Sequence, residues 1–152
     1  MVVVRAKTIT FGRCFAFDVP ANFRAHRGAY SQSQYQLRSL KTWSCMFQVS
    51  CHAPGLKDLV AFDDEERFQR WVEIFTDQQK DGKPVVRPFG PDPEACALPC
   101  WTFATRIPQG VYCGAVVRNA GGVLAIYGDT TSAEVDAVAT LRLLLKTMRA
   151  PG

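Results

Sequence analysis

The chain has only two histidines, His26 and His52, and that shortage removes much common side-chain chemistry. A nucleophilic cysteine needs a nearby base and a group that orients the base. His26 lies in ANFRAHRG between Arg24 and Arg27, a setting that suits a solvated surface residue better than a base. His52 closes the stretch WSCMFQVSCH, residues 43–52, which also holds Cys45 and Cys51. On an extended strand alternate residues share a face. Trp43, Cys45, Phe47, Val49 and Cys51 then fall on one side, and Ser44, Met46, Gln48, Ser50 and His52 on the other. Both thiols join the apolar set and the histidine points away from them. A zinc site would need the three to converge within about 2.3 Å of one ion, whereas a regular strand holds residues 45 and 51 roughly 20 Å apart. The stretch therefore reads as a half-buried strand whose thiols act as small hydrophobes. No metal and no cofactor are expected.

Other signatures are missing too. The sequence contains no GxGxxG, no GxxxxGK[ST] and no GxSxG. Gly121-Gly122 is too short to cradle a phosphate, and a hairpin turn accounts for it. The acidic run Asp63-Asp64-Glu65-Glu66 suits a helix N-terminus, and Asp129 suits a turn or cap. With no catalytic constellation, a non-enzymatic role is expected. No apolar run could span a bilayer, and the three valines after Met1 are too few for a secretory leader. A cytoplasmic protein with no membrane partner follows as the expectation. Six cysteines (14, 45, 51, 96, 100 and 113) make an even count that invites disulfides. Three of them sit in apolar strand phase, so reduced thiols in a reducing compartment fit better. Cys96 and Cys100, in EACALPCW, have CxxxC spacing rather than the CxxC of redox or zinc-ribbon motifs. There is no internal repeat and no low-complexity tract.

What is present is ordinary in amount and uneven in placement. Hydrophobic residues make up 47% and charged residues 21% of 152, enough for one domain spanning 1–152 with a sizeable core. The net charge of +4 divides sharply. Residues 1–58 hold eight Lys/Arg against two Asp/Glu, residues 59–80 three against six, and the remainder seven against six. A basic first third beside an acidic helix can steer a charged partner.

Residues 2–10 and 14–20 read as two strands broken at Phe11-Gly12-Arg13, with Pro20 ending the second. A basic loop, residues 21–28, leads to a polar strand over 29–40 and its apolar neighbour over 43–51, closed by a turn at His52-Ala53-Pro54-Gly55. Residues 62–80 read as a helix. Asp63 and Glu66 make a capping-box pattern, and Phe68, Trp71, Val72 and Phe75 form an apolar stripe. A proline-rich stretch from Pro84 to Pro99 predicts an edge strand and a loop. Three strands joined by tight turns follow, at 100–107, 111–119 and 122–129. A last helix is expected over 132–149, capped by Thr131 and Glu134 and buried through Val138, Leu141, Leu144, Leu145 and Met148. The order β-β-β-β-α-β-β-β-β-α implies an α+β sandwich, an antiparallel sheet flanked by two helices.

That order resembles the PsbP/DcrB-like superfamily. FAFDVPANF is similar to the family's entry motif, a strand ending in Val-Pro followed by an aromatic. VYCGAVVRNAGGVLAIYGD resembles its paired strands, and EVDAVATLRLLLKTMRAP its closing helix, with Thr147-Met148-Arg149 where a serine, an aromatic and a basic residue usually stand. The resemblance implies binding rather than catalysis. Members include photosystem subunits, lipoproteins, chaperone-adaptors for secreted effectors, and immunity proteins that block toxins. An immunity protein is the expected role, with a chaperone-adaptor as the alternative; the partner is a cognate toxin or a secreted effector.

The polar strand is the candidate binding surface. Tyr30, Gln32, Gln34 and Gln36 would lie on one face and Ser31, Ser33, Tyr35 and Leu37 on the other, so neither is properly apolar. So many amides cannot be buried cheaply on both faces, which places the strand at an edge or on an uncovered part of the sheet. Tyrosine and arginine are enriched at binding hot spots. Arg24, Arg27, Tyr30, Gln32, Gln34, Tyr35, Gln36 and Arg38 are therefore the expected partner-binding residues. The same segment, 24–41, could pair phosphates and stack bases through Arg24, Arg27, Tyr30, Tyr35, Arg38 and Lys41. The pI near 8.8 falls below the value of roughly 9 that marks a basic nucleic-acid footprint, so nucleic acid ranks behind a protein.

Overall fold

The computed structural model describes residues 7–27, 34–40, 46–54, 64–80, 84–108, 110–130 and 136–152. Alternating side chains build its centre. In the strand β5 (Met46–His52), Phe47, Val49 and Cys51 are buried on one face, while Met46, Gln48 and His52 are only partly buried on the other. The phase read from WSCMFQVSCH therefore holds over the described part; Trp43, Ser44 and Cys45 lie outside the described residues.

Seven antiparallel strands form the main sheet in the order β3-β4-β5-β9-β8-β7-β6. They are β3 (Phe23–Arg27), β4 (Gln34–Ser39), β5, β6 (Val85–Pro91), β7 (Cys100–Ile107), β8 (Gly110–Asn119) and β9 (Gly122–Thr130). A separate hairpin joins β1 (Thr8–Phe11) to β2 (Phe15–Asp18), turning at Gly12, whose φ is 54°. The sandwich is the expected one, with one addition. The basic stretch read as a loop carries β3, which pairs with β4 from Phe23↔Ser39 to Arg27↔Tyr35. Phe23 and Ala25 alternate with Arg24 and His26, but a five-residue strand on the rim, rich in charge, has no apolar period to announce it. The proline-bearing β6 is an edge strand, as expected.

The two helices take opposite faces. α1 (Asp64–Asp77) lays Phe68, Phe75 and partly buried Trp71 and Val72 against Phe103, Val116, Val123 and Ala125. Phe75 is the hub, with ring centroids 4.7 Å from Phe103 and 5.9 Å from Tyr127. Past the helix end, the Gln79 amide ties α1 to β6: it donates to the Arg87 carbonyl at 2.9 Å and accepts from the Phe89 amide at 2.7 Å. α2 (Ala137–Thr147) and the β1–β2 hairpin cover the other face. Leu141, Leu144, Leu145 and Met148 are buried there as expected. The helix starts later than the sequence suggested. Its N-cap is Asp136, whose carboxylate accepts from the Ala139 amide at 3.1 Å; Thr131 and Glu134 lie outside the described residues.

Candidate functional site

α1 packs chiefly on β8 and β9 and, through Phe68 and Phe75, on the β7 rings Trp101 and Phe103. On the α1 side of the part of the sheet formed by β3, β4 and β5, Arg24 and His26 of β3 and Gln34 of β4 are exposed, whereas Ser50 of β5 is buried. The register identifies who occupies that part. Arg24 faces Arg38, which faces Met46, which faces Asp129. One row along, His26 faces Gln36, Gln36 faces Gln48, and Gln48 faces Tyr127. Gln34 and Ser50 begin the next row. Arg24, His26 and Gln34 are exposed; Gln36, Arg38 and Gln48 are half-buried. The surface is flat, polar and basic towards the β3 rim, and it runs into the aromatic edge of α1, where Trp71 lies 5.5 Å from the Tyr127 ring.

The structure divides the eight residues singled out in the sequence. Arg24, Gln34, Gln36 and Arg38 come together on this open face. Tyr35 and Arg27 do not: they alternate to the opposite side, where the Tyr35 ring meets Phe11 edge-on at 5.7 Å and Arg27 lies 6.0 Å above it. Leu37, next along that side, is fully buried under the hairpin. The face carrying Tyr35 and Leu37 is thus core, because the β1–β2 hairpin supplies an apolar cover that the β4 sequence by itself does not announce. β4 is also an inner strand, paired on both sides, so it is not the edge strand that was one of the two positions expected for it. Tyr30 and Gln32 lie outside the described residues. His26 and Gln48 join the open face and were not singled out; strand phase, applied across β3 and β5, would have found both.

Two further polar groups sit on the α2 side. The carboxylate of Asp92, in the loop after β6, is 7% exposed. It accepts from the Thr102 hydroxyl at 2.8 Å and lies 3.3 Å from the Arg87 guanidinium, which itself donates to Thr102 at 2.7 Å. Cys96 in the same loop and Cys100 at the start of β7 are both buried and both free thiols. The Cys100 thiol donates to Cys96, and the amides of Leu98 and Ala97 add to it, holding Cys96 down to about 7 against the cost of burial. Cys100, hydrogen-bonded to that sulfur and buried, is driven upward. CxxxC spacing does bring two thiols together here, across the bend at residues 97–98.

Comparison with known proteins places this architecture. No protein-family model and no curated protein matches the sequence. Among solved structures, the solution structure of cyanobacterial PsbP from Synechocystis superposes with a TM-score of 0.59 at 14% identity, covering 99% of this chain and 95% of that one. The fold is PsbP-like. A crystal structure from Bacteroides thetaiotaomicron matches with a TM-score of 0.51 at 10% identity, over 91% of this chain and 45% of that one. At such identities the PsbP-like fold is what the two chains share with this one, and function has to be argued from the site.

Proposed function

We propose that the chain is a non-enzymatic protein-binding module and that it acts in the cytoplasm as an immunity protein, neutralising a bacterial toxin by docking on the open face of β3, β4 and β5. One observation carries the reading: exposed Arg24 and half-buried Arg38 stand directly opposite each other on adjacent strands of the sheet face that carries α1 further along. Like charges in cross-strand register oppose folding. Arg38 also reaches the Gln36 side-chain oxygen at 3.5 Å within the sheet, and an acidic protein surface is the complement that suits the paired guanidinium groups. Glutamines 34, 36 and 48 give that surface hydrogen-bonding reach without added charge.

The test is co-expression with the product of the adjacent reading frame. Wild-type protein should restore growth against that product, and the double variant Arg24→Glu/Arg38→Glu should lose protection while melting like wild type. Protection undiminished in the double variant removes this face from the function. A chaperone-adaptor role is the second reading, favoured if the neighbour is a long effector with apolar segments that the protein keeps soluble without inhibiting it. Binding that moves to nucleic acid, spreads evenly over Arg24, Arg27 and Arg38 and disappears with added salt would replace both.

A further inference from the structure

On the α2 side, remote from the open face, a cavity of about 380 Å³ opens between α2 and the β6–β7 edge. That volume lies in the range of small-molecule sites. Ala104, Cys113, Leu141 and Leu145 give it an apolar floor, all of them buried. Its polar lining is cationic in sum: Arg87 and Arg142 against the one carboxylate of Asp92. The roles of the three differ. Asp92 is committed, taking the Thr102 hydroxyl and Arg87. Arg87 is fixed by that carboxylate, by Thr102 and by the Pro91 carbonyl at 3.4 Å. Arg142 is not fixed. Its guanidinium approaches Asp92 only to 3.8 Å, beyond hydrogen-bonding distance, and it makes no hydrogen bond among the described residues. Half-exposed at the mouth, it keeps five N–H donors to offer.

We propose that this cavity binds a small organic anion: a carboxylate with an apolar body, the head taken by Arg142 beside the Asp92–Arg87 pair and the body seated on Ala104, Cys113, Leu141 and Leu145. An added anion balances the second guanidinium, and an arginine takes a carboxylate through two parallel hydrogen bonds. Asp92 holds Arg87 in place and repels an anion that would settle deeper, so the head stays at the mouth and the body points inward. A neutral apolar molecule of the same size would leave Arg142 as it is.

Octanoate and a naphthoate serve as probes, titrated into the full chain and followed by amide cross-peaks in heteronuclear NMR, with octanol as the neutral control. Expected are saturable shifts for at least one acid, centred on Ala104, Leu141 and Leu145, and an affinity about tenfold lower in Arg142→Gln. Octanol should bind more weakly than octanoate by a similar factor. The tighter of the two acids tells whether the body is a chain or a ring. Arg142 is half-exposed, so the variant should fold, and its unshifted cross-peaks verify that. The proposal is overturned if neither acid gives saturable shifts up to about 10 mM, or if octanol matches octanoate and Arg142→Gln changes nothing.

Discussion

Asp18, at the end of β2, and Arg149, just past the C-cap of α2, form an ion pair at 3.1 Å that ties the β1–β2 hairpin to the segment after α2. Backbone bonds between Ala16 and Arg149 at 2.7 and 2.9 Å run beside it, and the Thr147 hydroxyl accepts from the Asp18 amide. The β1–β2 hairpin is outside the main sheet, so this seam with α2 helps to hold it in place.

The pH dependence of that seam has a definite sign. The Thr8 hydroxyl, at 2.8 Å, and then Arg149 hold the Asp18 carboxyl below its ordinary value. A lowered folded-state pKa stabilises the protein above the ordinary carboxylate range, and the gain is lost as pH falls through it. The pair is about one-third to one-half exposed, so screening limits the gain to roughly 1 kcal/mol or less. Asp18→Asn should therefore lower the melting temperature at neutral pH and leave it close to wild type near pH 3. An equal deficit at both pH values would assign the loss to packing.

The thiol pair gives a second pH effect. Cys96 is held near 7 chiefly by the Cys100 S–H. Removing that donor in Cys100→Ala should move the Cys96 titration upward, towards or past the ordinary thiol value, while Cys100→Ser, which keeps an O–H, should retain most of the depression. Ultraviolet thiolate absorbance against pH, read on a chain in which the other cysteines are replaced, checks both. Identical curves for the two variants would show that the loop amides alone hold the thiolate.

Strand phase was legible wherever one face is buried. Phe47, Val49 and Cys51 follow period two, and Phe68 to Phe75 follow the helical period, because a single packed face imposes each. β4 was legible only in part. Its core face reads Tyr35, Leu37, Ser39, and what makes it core is a hairpin more than twenty residues upstream, a contact that local pattern does not encode. β3 was missed for a related reason: rim strands bury little and so carry little period. The α2 boundary moved because two capping signals, Thr131 with Glu134 and Asp136, lie within one turn and a half of each other. The Asp92–Thr102–Arg87 group joins residues ten and five positions apart on different elements, and nothing short of the β6–β7 pairing would have assembled it.

The aromatic layer under α1 is uneven, although the helical stripe alone would rank its members together. Phe75 is fully buried, among Phe103, Phe89, Tyr127 and Trp71, whereas Trp71 stays partly exposed. Phe75→Ala should cost about 3–5 kcal/mol and Trp71→Ala clearly less, measured by chemical denaturation. Gly128 completes the contrast on the other strand pair. A Cβ there would collide with the Met46 carbonyl and sit 2.9 Å from the Phe47 Cα, both backbone atoms of β5. Gly128→Ala should cost roughly 1–3 kcal/mol although it adds one methyl group. A neutral result would mean that β5 and β9 can part without loss.

The division of the β4 side chains makes the sharpest separation between folding and binding. Tyr35 packs on Phe11 and belongs to the core side. Tyr35→Ala should therefore destabilise the protein, by about 1–3 kcal/mol for a partly buried ring, and should weaken partner binding only as far as it unfolds the sheet. Arg24 behaves in the opposite way. It is exposed and faces Arg38 in register. Arg24→Glu puts opposite charges across the strand pair, a change worth roughly 0.2–1 kcal/mol in favour of folding. If the open face docks an acidic partner, the same substitution must weaken the complex, because it replaces an attraction by a repulsion at the rim. Thermal melts and calorimetry on the two variants should thus move in opposed directions: Tyr35→Ala less stable with binding per folded molecule kept, Arg24→Glu as stable or more so with binding reduced. If Arg24→Glu stabilises the fold and leaves partner affinity untouched, the opposed arginines are no part of the interface.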